Sequence, residues 1–378
     1  MHEKVKIILT ISLLLLIFTF LSFKFKSFIL LLLSIIFLSC FLLLIKKINK
    51  NFLLIYFASL TTIFFIETYL KINFKELFNQ KNLKTNKEKI VSYENFQYDI
   101  TYLGPQLKKG IYQHYLKKEN RFVFNQNYEV NIDNFRFNKF IKNSNTKNHN
   151  VAFFGDSNTF GWGLSDIETL PYLFYEQNKN YNVFNYGIIG GSANLTLEML
   201  RKNNNYLGDF NVIFSSSYQL PRIACNRDFS FNTPTFKLTN KELVFDGYCI
   251  LSFLKFKFQV PRIIGSIINR SEIIKILNKA FTNEFSSQNI KLYLEILNEI
   301  NQISINNNKN LVMLYYGSNR TKDTDTKIQA YFIENEIPFI NVTFDDQKFF
   351  IKNDGHFSKL ANVHFLNKIN QHLDALNP

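Results

Sequence analysis

Cysteine is scarce in this chain, with three residues among 378, at Cys40, Cys225 and Cys249. None stands in the paired Cys/His spacing that holds zinc. Also missing are GxGxxG and a phosphate-binding loop with its lysine, the two glycine patterns that cradle nucleotide phosphates. No stripe of arginine interleaved with stacking aromatics and no nucleic-acid motif accompanies the net charge of +14. The lysines are scattered through helical and loop sequence, so solvated lysine faces account for that charge. Attraction to anionic lipid is a second reading. There is no internal repeat and no long low-complexity tract. No cofactor, metal or nucleic acid is therefore expected as a partner.

Apolar sequence, by contrast, is abundant and concentrated at the start. Three runs, at about 5–23, 28–45 and 52–70, each approach the roughly 20 residues a helix needs to cross a bilayer. The breaks between them, KFKS and KKINKN, are short and basic. A cleaved leader would explain the first run only, and no small-residue cleavage site follows Phe23. Apart from Glu67 the runs lack internal charge, which fits an anchor better than a transport path. A three-helix transmembrane anchor is expected over 1–70, making this an integral membrane protein with the lipid bilayer as a partner.

Orientation follows from the flanking charges. With the N-terminus inside, Lys4, Lys6, Lys46, Lys47 and Lys50 face the cytoplasm and Lys24 and Lys26 lie outside, as the positive-inside rule requires. Six lysines after the third run, from Lys71 to Lys89, pull the other way. An odd number of spans then places the main domain on the extracytoplasmic side. There Cys225 and Cys249, which flank a hairpin-like segment at 236–246, can pair as a disulfide; two buried reduced thiols fit the sequence equally.

Residues 71–148 read as a juxtamembrane linker followed by a small β-rich lead-in, with alternation as in RFVFNQNYEVNIDNFRFN. From 149 to 378 the chain alternates strand and helix. Strands are expected at 151–154, 182–185, 212–216, 311–316 and 338–342, each rich in branched or aromatic residues. Ile290, Tyr293, Leu294, Leu297 and Ile300 repeat at helical spacing, as do Ala361, Phe365, Ile369 and Leu373. Such alternation argues for a parallel sheet covered by helices on both faces. An insertion at about 220–287 interrupts it with the hairpin and a basic amphipathic stretch at 263–281, for which core packing is the commonest fate.

The stretch after the first of these strands, GDSNTFGWG, turns tightly at Gly155-Asp156-Ser157 and lifts Ser157 to the edge where open α/β sheets place ligands. A serine nucleophile needs a general base and donors for the oxyanion it creates. Of six histidines, His356 sits in a turn, Asp354-Gly355-His356, after the fifth strand, where the carboxylate can hold the imidazole tautomer. After the second strand, NYGIIGGS offers the Gly190 N–H. The chain order is Ser, Asp, His.

These blocks resemble those of the SGNH/GDSL hydrolases. GDSNTFGWG matches their GDSxTxG block, NYGIIGG resembles their second block and DGH their last, over about 150–376; YEVNIDNFRF resembles a lead-in often found before such domains. The resemblance implies a flavodoxin-like three-layer α/β/α fold and metal-free ester hydrolysis or acyl transfer. It also implies Ser157 as nucleophile, His356 as base and Asp354 as its orienter, with Ser157 N–H and Gly190 N–H in the oxyanion hole. One block departs. Where the family carries an asparagine after the third strand, this chain reads SSSYQLPR, and Gln219 is the residue able to offer an equivalent amide. The expected activity is that of a membrane-tethered esterase or deacylase on an acylated glycan or lipid. An O-acyltransferase to a glycan and an inactive anchored glycan- or protein-binding domain are the alternatives.

Overall fold

The computed structural model describes residues 90–376, apart from positions 145, 148, 227–229, 252–253, 260–270, 272–277, 279–282 and 319–320, together with Thr62 and Ile66. The three apolar runs apart from Thr62 and Ile66, Cys40, the linker up to residue 89 and most of the 263–281 stretch thus lie outside the described residues. Among the described residues no helix is long and apolar enough to cross a membrane. The chain divides into two units, and the elements below belong to the one formed by Lys87–Gln259 and Thr282–Pro378.

Its centre is a five-stranded sheet of β7 (His149–Gly155), β8 (Tyr181–Gly187), β9 (Phe210–Ser216), β13 (Asn310–Tyr316) and β14 (Phe339–Asn341). All neighbours pair in parallel, in the order β14-β13-β9-β7-β8. Numbered by appearance this is 2-1-3-4-5, the flavodoxin-type order, whose switch point lies between β7 and β9. Each strand shows why. In β7, Val151 and Phe153 enter one apolar cluster and Ala152 and Phe154 the other, so both faces are buried, as a parallel sheet demands.

Helices close both faces. On one side lie α3 (Ala193–Lys202), α5 (Ser287–Asn306) and α6 (Lys322–Glu334), which contribute Leu197, Leu297 and Phe332. On the other, α2 (Leu170–Gln177) and α7 (Lys359–Leu376) contribute Phe174, Phe365 and Ile369. The expected α/β fold with a parallel sheet is present. The first four strands run one or two residues beyond one or both expected ends, whereas β14 is shorter than 338–342. The helical repeat at 290–300 is buried as its spacing predicts.

The lead-in forms β1 (Ile90–Glu94), β4 (Gly110–Lys118), β5 (Arg121–Val130) and β6 (Arg136–Phe137), an antiparallel sheet in the order β1-β4-β5-β6. Beside it β2 (Tyr98–Thr101) and β3 (Gly104–Leu107) pair as a ribbon. Alternation in β4 and β5 turns Tyr112, His114, Leu116, Phe124 and Tyr128 inward, all buried. The insertion holds β10 (Pro234–Thr239), β11 (Glu242–Leu251) and a third strand that the hairpin pattern did not announce, β12 (Leu254–Phe256). Asn240 and Lys241 both take positive φ, as a two-residue hairpin turn requires. Cys225 and Cys249 are joined by a disulfide, with Cα atoms 5.6 Å apart. The question left open between paired and free thiols is thereby answered in the structure.

Candidate active site

Ser157 opens a one-turn helix, α1 (Ser157–Phe160), directly at the carboxyl end of β7. Asp156 is the N-cap and accepts the Asn158 N–H at 2.9 Å; Gly161 ends the turn in the left-handed region at φ 85°. A Cβ at Gly155, itself at φ 152°, would run into Thr159 Oγ1 and meet Phe214 Cβ at 2.8 Å. At Gly187 it would collide with the backbone of Thr159 and Phe160. Glycine at these two positions lets α1 sit hard against β7 and β8.

His356 reaches this serine from the far end of the sequence. Its Nε2 lies 2.9 Å from Ser157 Oγ, and its Nδ1 lies 2.5 Å from Asp354 Oδ1. With the proton on Nδ1 facing the carboxylate, Nε2 is the acceptor toward the hydroxyl. The loop that makes this possible folds back on itself: Ile351 N–H donates to His356 O at 2.7 Å, while Asn353 (φ 63°) and Gly355 (φ 89°) take left-handed conformations. Burial pushes the Asp354 carboxyl up, but hydrogen bonds from the His356 ring and backbone and from Trp162 outweigh it. They leave Asp354 below its ordinary value and hence ionised. Ser157, Asp354 and His356 are thus brought together.

Gly190 lies in the loop after β8. Ile188 N–H donates to Gly155 O at 3.0 Å and Gly191 N–H to Ile188 O at 2.8 Å, which ties the loop to the same sheet edge. Gly190 has φ 72°, and neither its N–H nor that of Ser157 donates to any group among the described residues. Ser157 lines the cleft beside His356, whereas Gly190 is not among its lining residues. Gln219 is placed otherwise. It ends a one-turn 3₁₀ helix, Ser217–Gln219, is fully buried, and donates Nε2 to Phe214 O at 3.5 Å rather than lining the cleft. The 3₁₀ turn rotates it inward and leaves its neighbour Tyr218, together with Arg222 four residues on, lining the cleft.

Tyr218 and Arg222 complete a polar floor that the sequence reading did not single out. Buried Asp156 accepts the Tyr218 hydroxyl at 2.8 Å and Arg222 Nη1 at 2.9 Å through Oδ2. The same Nη1 also donates to Gly191 O. Asn158 donates Nδ2 to Tyr218 Oη at 2.7 Å and accepts the Phe357 N–H at 3.1 Å, which links α1 to the His356 loop. Burial, then the Asp156 charge, raises the Tyr218 phenol far above its ordinary value, so it stays a neutral donor. The cleft over these groups, about 240 Å³, is walled by Tyr316, Phe350 and Phe357. Among the described residues no group of three or more His, Cys, Asp and Glu side chains is disposed to hold a metal ion.

No protein-family model matches the chain, and no curated protein matches it. Solved structures similar to it include a GDSL-like lipase from Bacteroides thetaiotaomicron, 13% identical over 63% of this chain and 94% of that one, with a TM-score of 0.37. A member of the lipolytic protein G-D-S-L family from Veillonella parvula is 10% identical over 59% and 96%, with a TM-score of 0.36. An acetyl xylan esterase from the rumen bacterium Butyrivibrio proteoclasticus is 13% identical over 62% and 66%, with a TM-score of 0.32.

Proposed function

We propose that this chain is a membrane-tethered serine esterase or deacylase of SGNH type, with Ser157, His356 and Asp354 as its triad. The observation that carries the reading is the unbroken hydrogen-bond path from Ser157 Oγ through both ring nitrogens of His356 to Asp354. Ser157 Oγ attacks the ester carbonyl carbon while its proton moves to His356 Nε2, and the ionised Asp354 stabilises the imidazolium formed. The carbonyl oxygen, now an oxyanion, is taken by the Ser157 and Gly190 N–H groups. Collapse breaks the ester C–O bond, the departing alcohol takes the proton from His356, and an acyl-serine remains. Water, or a sugar hydroxyl, then surrenders its proton to His356 and attacks the acyl carbon. Ser157 leaves with that proton, and a free acid or a new ester departs.

The apolar runs at 5–70 support the tether, and the Cys225–Cys249 disulfide supports an extracytoplasmic site, since such bonds persist in oxidising compartments. At a membrane surface the substrate is an acylated glycan or lipid.

Labelling of the full-length protein in membranes with a fluorophosphonate probe tests the nucleophile. Wild type is expected to label and Ser157→Ala to remain unlabelled. Equal labelling of the two, with a glycan ligand still bound, would replace the enzyme by the anchored binding domain. Where labelling is specific, release of free acid without added glycan marks a hydrolase, and transfer only to added glycan marks an acyltransferase.

A further inference from the structure

We infer that Trp162 is a positioning residue that locks the Asp354–His356 pair, and that the N-terminal β sheet is built against it as the wall of the active site. This rests on the triad proposed above. The inference starts from a count of carboxylate oxygens. Oδ1 of Asp354 is taken by His356, from Nδ1 at 2.5 Å and from the backbone N–H at 3.2 Å. Oδ2 accepts the indole Nε1–H of Trp162 at 3.3 Å. With both oxygens held, the carboxylate cannot swing about its χ2 axis, which is otherwise broad for Asp.

The same indole stacks on His356, with ring centroids 5.4 Å apart and planes 29° from parallel. The imidazolium that forms as Ser157 loses its proton is thus met by an aromatic face, an attraction absent for the neutral ring. One side chain therefore restrains the orienter and lays its ring against the base. Neither task needs Trp162 to touch the ester.

Trp162 is itself held from the N-terminal side. His114 of β4 packs on it at a centroid distance of 4.2 Å, and Phe96 of the β1–β2 loop at 5.7 Å. His114 Nδ1 lies 3.1 Å from Tyr128 Oη of β5, and that same oxygen accepts the Gly163 N–H at 2.7 Å, one residue beyond Trp162. The loop bearing the indole is thus clamped by two strands encoded before the α/β domain begins. A tether or spacer has no call for such contacts.

The test is a double-mutant cycle on full-length protein, read as the rate of fluorophosphonate labelling, with a thermal melt of each variant as the folding control. Trp162→Phe keeps a stacking ring but loses the indole donor; it is expected to slow labelling about five- to tenfold. Trp162→Leu, lacking both, is expected to be slower still. In an Asp354→Ala background Trp162→Phe should change the rate less than twofold, because its acceptor is gone. A Trp162→Phe rate equal to wild type, or the same slowing in both backgrounds, would overturn the positioning role. Failure of wild type to label beyond Ser157→Ala would instead bring down the triad on which it rests.

Discussion

Arg136 of β6 donates Nη1 to the carbonyl of Gly161, at 2.6 Å, and so grips the loop that leaves the nucleophile turn. The same side chain donates to Phe160 O at 3.1 Å and Leu164 O at 2.9 Å and pairs with Asp166 at 2.8 Å, while its guanidinium lies over the Tyr128 ring at 4.6 Å. It is 3% exposed. Three carbonyls and a carboxylate are thus satisfied by one planar fork, which a lysine ammonium cannot reproduce.

Removing it strands those acceptors in a buried site. Arg136→Ala is expected to cost about 3–5 kcal/mol, the usual penalty for breaking a buried ion pair. Arg136→Lys should recover only part of it. Thermal melts of the three proteins check this. An Arg136→Ala melting point within a degree or two of wild type would show that the loop does not depend on the lead-in.

Parts of this architecture are legible in the chain because they repeat. Val151, Phe153 and Phe154 announce a strand buried on both faces, and Ile290 to Ile300 a helix with one buried stripe. Ser157 is legible because it follows directly on the end of β7, and Asp354 and His356 because they share a turn between the last strand and the last helix; the fold brings residues 199 positions apart to one edge. Gln219 and Trp162 are different. Gln219 has the right chemistry, but one 3₁₀ turn decides whether it faces the cleft or the core, and no pattern in SSSYQLPR encodes that rotation. Trp162 is packed on by His114 and Phe96 of the lead-in, and Arg136 of the lead-in grips residues 160–166, so their roles exist only once two separately encoded sheets have met.

Acid should weaken the lead-in through His114. Burial lowers this imidazole to about 4, from its ordinary 6.5; the Asp354 charge opposes the shift and His356 reinforces it. The unfolded chain binds the proton first as pH falls below about 6.5, so stability is full above that value and drains away toward pH 4. At pH 5 the loss attributable to this group is about 2 kcal/mol. His114→Phe removes the titration. The fall in melting temperature between pH 7 and pH 5 should therefore be smaller in the variant than in wild type. Equal falls would mean that His114 does not stay neutral in the folded protein.

Arg222 spans Asp156, the N-cap of the nucleophile helix, and Gly191 O, the carbonyl next to the Gly190 donor. One guanidinium thereby sets the spacing of the two backbone segments assigned to the oxyanion. Arg222→Gln is expected to lower kcat on a small aryl ester about 10–100-fold, within the range for disturbing such a site, and to change KM far less. Tyr218→Phe, which removes one donor to Asp156 and the acceptor of the Asn158 amide, should cost a few-fold. If Arg222→Gln raises KM and spares kcat, the arginine binds substrate and does not align the donors.

The Cys225–Cys249 bond closes a loop of 24 residues between α4 (Leu220–Ile223) and the end of β11. That loop carries β10, whose Phe236 is part of the core beside α3. Cross-linking it should contribute about 2–4 kcal/mol, chiefly by restricting the unfolded chain, and the double Cys→Ser variant should melt correspondingly lower. The same pair reports on location. If the domain lies outside the cytoplasm, an alkylating maleimide added to denatured whole-cell protein should modify neither thiol until a reductant is supplied. Two free thiols in protein trapped with acid at harvest would place this domain in a reducing compartment and remove the support that the disulfide lends to an extracytoplasmic site.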